Sequence, residues 1–118
     1  MLSIFQKTIS SETSFKGVGL HSGLETEVRI LPAAENFGIV FKRTDLKKNN
    51  IIKANFKNVS SAKLCTTLKN EFGTSVSTVE HLLAALYIIG VDNALIEVSN
   101  SEVPIMDGSS KEFVETLK

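Results

Sequence analysis

Hydrophobic and polar residues alternate along five short stretches of the chain: FQKTI (5–9), LETEVRIL (24–31), GIVF (38–41), IIKANFKNV (51–59) and NALIEV (93–98). A period of two puts successive side chains on opposite faces, so each stretch predicts a half-buried β-strand. In LETEVRIL, Thr26, Val28 and Ile30 share one face while Glu25, Glu27 and Arg29 share the other. That division is expected of a sheet covered on one side and wet on the other.

The cover is predicted in residues 78–89, where Val79, Leu82, Leu83, Ala84, Ala85, Leu86, Tyr87, Ile88 and Ile89 leave almost no polar face. A helix of this composition is expected to be buried nearly all round. Ser77-Thr78-Val79-Glu80 has the S-x-x-E form of a capping box, and Gly90 supplies a residue that tolerates the left-handed conformation past a helix end. A second cap signature, Ser109-Ser110-Lys111-Glu112, follows Pro104 and the turn residues Asp107-Gly108, and predicts another helix from near Ser110. Too few residues follow before Lys118 for an ordinary helix, so the chain is expected to end inside an element. No internal repeat or low-complexity linker interrupts the pattern. The expected fold is α+β, a two-layer sandwich in which a mostly antiparallel sheet is covered by one buried helix and the start of a second.

A length of 118 residues fits one domain with a real core. Thirteen Lys plus Arg balance thirteen Asp plus Glu, with no basic run and no aromatics interleaved with cations, so the footprint of a nucleic-acid binder is missing. One cysteine, Cys65, excludes an internal disulfide framework and zinc-finger spacing. The opening MLSIFQK is too short for a signal segment, and no window approaches the ~20 apolar residues that span a bilayer. A soluble cytoplasmic protein is the expectation.

Glu80 and His81 are the one adjacent Glu-His pair in the chain. As third residue of a capping box, Glu80 has a purely structural use, to bind the backbone N–H of Ser77. His81, among leucines and alanines, needs a hydrogen-bond partner or a metal for its ring nitrogens. Residues ~100° apart around the helix do not overlie each other but can flank one cavity. In H-E-x-x-H proteins the second ligand lies one turn on, where this chain has Ala85, so the helix offers one metal ligand at most. A catalytic zinc takes three protein ligands and a water, and neither His21 nor Cys65 has ligand spacing to His81. Gly17-Val18-Gly19 could form a phosphate cradle, but the third glycine of a dinucleotide fingerprint falls at Ser22 and no helix follows. A bend between two strands is the simpler reading, with His21 on its rim. Cys65, in a predicted strand, reads as a small buried hydrophobe.

GVGLHSG, FKRTDL, STVEHLLAAL, VDNALIEV and EVPIMDGSSKEFV occur in this order in the UDP-3-O-acyl-N-acetylglucosamine deacetylases, and over nearly all its residues the chain resembles the N-terminal half of that family. The family makes lipid A in Gram-negative bacteria and is built from two similar α/β layer domains whose helices face each other across the active site. The resemblance implies that residues 1–118 form the N-terminal domain of a two-domain zinc hydrolase, with the C-terminal domain absent. It implies Zn2+ as cofactor, His81 as the first zinc ligand and Glu80 as general base, with substrate-side roles for Cys65 and His21. The implied reaction removes the N-acetyl group of UDP-3-O-(3-hydroxyacyl)-N-acetylglucosamine. The family's remaining ligands, a His and an Asp one helical turn apart, and its acid histidine belong to the C-terminal domain, so this chain alone is expected to be inactive. The alternative is a non-catalytic binding or assembly module left by a truncated or split gene, its apolar helix seeking a partner.

Overall fold

A computed structural model describes residues 5–61, 65–105 and 111–117. Among the described residues, eight strands form two sheets. β1 (Thr13–Val18), β2 (Glu25–Pro32), β3 (Ile39–Arg43), β4 (Ile51–Lys53) and β8 (Ala94–Val98) make the larger, in the order β1-β2-β8-β3-β4. β5 (Val59–Ser61), β6 (Thr67–Lys69) and β7 (Ser75–Ser77) make the smaller. Every neighbouring pair is antiparallel except β3 and β8, which run parallel. Helix α1 (Glu80–Ile89) bridges β7 to β8, and α2 (Lys111–Leu117) follows.

Register turns the alternation into lateral rows. Ile30 faces Ile96, Ile96 faces Phe41 and Phe41 faces Ile52, while Phe15, Val28 and Val98 form the row beside it. All seven are buried, together with Thr26, as the pattern in LETEVRIL predicts. The opposite face carries Arg29, which pairs with Glu12 at 2.8 Å and Glu97 at 3.1 Å. Over the rows lie Leu82, Ala85 and Leu86 of α1, Leu68 and Val76 of the smaller sheet, and Phe113 of α2, whose ring meets Phe15 edge-on at 4.9 Å. Arg43, at the end of β3, donates to the Ser75 carbonyl and ties the two sheets together.

Several expectations are corrected. FQKTI is not a strand: Lys7 donates its N–H to Asp92 and accepts those of Asp92 and Asn93, so this segment is tethered to the entrance of β8 instead of joining a ladder. The first strand is instead β1, which the pattern did not predict. IIKANFKNV is divided, because a 3-10 turn at Phe56–Asn58 separates β4 from β5 and sends the chain from one sheet to the other. Cys65 lies in a bend before β6, half-buried, and not in a strand.

Helix α1 ends as predicted. Gly90 takes φ +79°, and the pair Val91 N–H to Leu86 O and Gly90 N–H to Tyr87 O closes the last turn. It is not buried all round, however: Tyr87 is 87% and Ile88 64% exposed. Among the described residues no helix is long and apolar enough to cross a membrane, which says nothing of strand-built barrels. The Asp107 turn and the Ser109-Ser110 cap lie outside the described residues.

Candidate active-site corner

Four segments meet at the N-terminal end of α1. Glycines and small polar residues bend the chain between β1 and β2, where Gly19 N–H donates to Leu24 O and Gly23 N–H to Gly19 O. The approach to β6 brings Cys65 and Thr66 alongside the β7–α1 junction, since Thr78 N–H donates to Thr66 O at 2.9 Å. After β8, the loop through Ser101 and Glu102 runs parallel to the end of β7. Ser77 N–H donates to Ser101 O and Val103 N–H to Ser77 O.

Glu102 stands where these segments join, and it is 3% exposed. Its carboxylate accepts the backbone N–H of His21 (2.9 Å), the backbone N–H of Ser22 (2.8 Å), the hydroxyl of Thr78 (2.6 Å) and Nδ1 of His21 (2.8 Å). Burial by itself would raise the carboxyl pKa, but the bonds from Thr78, Ser22 and His21 together outweigh it and hold the group down to about 2. An ionised carboxylate can only accept, so Nδ1 of His21 carries the proton it shares. Gly19 is required here for space: a Cβ would lie 2.4 Å from Glu102 Oε1 and equally close to Ser22 Oγ.

Thr78 is bonded to this carboxylate and has φ +60°. A β-branched residue in the left-handed region is a genuine outlier, at a cost of about 1–3 kcal/mol, and persists only where surrounding bonds over-determine it. Here its N–H is held by Thr66 O and its hydroxyl by Glu102. The result is a sharp turn from strand into helix within two residues, which delivers Glu80 and His81 to the corner.

The predicted capping box does not form. Val79 is the N-cap and makes no side-chain cap bond. The Ser77 N–H that Glu80 was expected to bind already donates to Ser101 O at 2.8 Å, and Ser77 Oγ accepts from Thr67 Oγ at 3.0 Å. Glu80 is released from the cap and accepts the Thr66 N–H through Oε1 at 3.3 Å. His81 is half-buried, and its ring has no hydrogen-bond partner among the described residues. One turn further on, Ala85 is fully buried, so that position faces the core and not the corner.

His21 and Cys65, far apart in sequence, come together. With Ser22, Ser77, Ser101 and Glu102 they line an open pocket of about 260 Å3. The Cys65 sulfur lies 3.8 Å from the Thr67 hydroxyl, and the next residue, Thr66, is the one whose N–H meets Glu80. This arrangement offers a carboxylate, an oriented imidazole and small hydroxyls around one opening. It does not by itself make a metal centre: no group of three His, Cys, Asp or Glu suited to a metal occurs among the described residues. Glu102 and Thr78 escaped the reading of the sequence. An acid between Ser101 and Val103 has no periodicity to place it inside, and nothing in Thr78 announces its backbone conformation.

Comparison with known proteins shows similarity along nearly all of the chain. The sequence is 49% identical over 115 residues to the UDP-3-O-acyl-N-acetylglucosamine deacetylase of Shewanella denitrificans, covering 98% of this chain and 38% of the relative. It is 49% identical to the Shewanella frigidimarina protein of the same name, with the same coverage. To the Syntrophus aciditrophicus protein of that name it is 47% identical, covering 97% of this chain and 36% of the relative. The chain therefore spans a little over a third of the length of these relatives. The sequence profile of the UDP-3-O-acyl N-acetylglycosamine deacetylases matches residues 6–118, and the chain belongs to that family.

Proposed function

We propose that this chain supplies the N-terminal part of a zinc-dependent deacetylase site that acts on a UDP-linked, 3-O-acylated N-acetylglucosamine in lipid A synthesis. The observation that carries the reading is the release of Glu80 from the helix cap. Its carboxylate accepts a single backbone N–H, from Thr66, beside a histidine whose ring has no partner among the described residues. In this reading Glu80 is the general base. The attacking water gives it a proton, the water oxygen bonds the acetyl carbonyl carbon, and the C–N bond breaks as an acid from the rest of the protein protonates the nitrogen, leaving acetate and the free amine. His81 contributes one ligand to zinc, and the other ligands come from the part of the protein that lies beyond the match to this chain. Zinc, when bound, polarises the carbonyl and makes the water a stronger acid. His21 and Cys65 line the substrate side of the pocket.

The exposed apolar face of α1 fits the same proposal, because a second domain would cover it. A non-catalytic assembly module would use that face too, but would have no need of Glu80. The deciding experiment replaces Glu80 in the full-length protein. Glu80→Gln should lower kcat by about 10^2- to 10^4-fold with KM little changed, the usual effect of losing a general base. Retained activity would remove Glu80 from that role and leave the assembly reading standing. The 118-residue chain alone should release no acetate, with or without added zinc.

A further inference from the structure

Glu102 has no part in the reaction just described, although its buried carboxylate is the most heavily bonded side chain at the corner. The bonds have a direction. Three come from one turn, His21 and Ser22, and the fourth comes from Thr78, two residues before Glu80. The carboxylate thus clamps the β1–β2 turn to the strained residue that sets the start of α1. We propose that Glu102 is a positioning residue: by holding the Thr78 hydroxyl it fixes the left-handed turn that keeps the Glu80 carboxylate on the Thr66 N–H and out of a helix cap.

The alternative that the clamp prevents is visible in the sequence. Ser77-Thr78-Val79-Glu80 is a competent capping box, and its formation requires the Ser77 N–H to leave Ser101 O and the Glu80 side chain to turn back toward the strand. With Thr78 relaxed to negative φ that rearrangement becomes available, and Glu80 is lost to a structural bond. The Ser101–Val103 loop thus acts twice against the cap, holding the Ser77 N–H through Ser101 O and Thr78 through Glu102.

The Thr66 amide reports the outcome without reference to catalysis, since it donates to Glu80 and makes no bond to Glu102. In 15N-labelled chain, Glu80→Ala marks the Thr66 amide resonance with its acceptor gone. Glu102→Gln should move that resonance most of the way to the Glu80→Ala position. Adding Thr78→Gly should return it toward wild type, because glycine holds a φ near +60° without help. A Thr66 amide that stays at its wild-type position in folded Glu102→Gln overturns the assignment, as does failure of Thr78→Gly to restore it. If Glu102→Gln does not fold, Thr78→Val cuts one bond to the carboxylate and leaves the rest. The same shift of the Thr66 amide is then expected, and an unmoved amide overturns the assignment there too.

The functional consequence rests on the base reading of Glu80: in full-length protein Glu102→Gln should lower kcat by about 10- to 100-fold with KM nearly unchanged, as misplacement of a reacting group does. The two readings fail separately. Full activity in Glu80→Gln removes the base and leaves the amide result intact, whereas an unmoved amide removes the positioning role whatever Glu80 does.

Discussion

Glu102 keeps a negative charge in the interior, and donors from His21, Ser22 and Thr78 converge on it. Its carboxyl is held down to about 2 from an ordinary value of 4.5, so the folded protein binds this proton less readily than the unfolded chain. The stabilisation is fully present above pH ~4.5 and is lost progressively as pH falls toward 2. At about 1.4 kcal/mol per pH unit it comes to about 3 kcal/mol. Urea unfolding of wild type and Glu102→Gln from pH 6 to pH 2 should show a stability gap that closes over that window. A gap that stays constant with pH would mean that shape, and not charge, is what the pocket around Glu102 requires. The chemistry at this scale was half legible. Glu80 and His81 stand out as neighbours at a helix start, whereas Glu102 and Thr78 acquire their importance from contacts 24 to 81 residues apart, which no local pattern encodes.

Among the elements, the legible ones are those whose own residues decide them. LETEVRIL alternates from Leu24 to Ile30, and β2 carries the predicted faces, while α1 stops where Gly90 can turn left-handed. Gly90→Ala should cost about 1–2 kcal/mol in a urea titration, since alanine at that φ meets the steric penalty that glycine avoids. No loss would show that the helix end relaxes to another geometry. The elements missed are the ones set by neighbours. TSFKGV has one buried large apolar residue, Phe15, and becomes β1 because β2 offers it a ladder and Phe113 offers its ring a partner. β6 and β7 are three residues each, too short for alternation to register. FQKTI alternates as well as β3 does, yet the buried side chain of Asn93 bonds Gln6 and Gly38 and fixes it as a tether.

For the molecule as a whole, the apolar character of α1 divides into two faces with different fates. Leu82, Ala85 and Leu86 complete the core, while Tyr87 and Ile88 stand in solvent next to Ile89 and Val91, which border a hollow of mixed polarity with Thr8, Ser10, Val114 and Leu117. An isolated chain with this face should self-associate as concentration rises, and Ile88→Lys should return it to a 12.9 kDa monomer in sedimentation velocity with little change in unfolding midpoint. A wild-type chain that stays monomeric at every concentration would show the face to be too small to drive assembly.

The order of strands in the larger sheet also has a consequence in time. β8 lies between β2 and β3, so Ala94 must pair with Pro32 on one side and Ile39 on the other before either strand is sheltered. As the chain leaves the ribosome, β2 ends 62 residues and β3 51 residues ahead of Ala94, where the strand that joins them begins. Through that interval their apolar rows and open backbone edges are available to any other strand, so the protein's exposure to misassembly is greatest during synthesis.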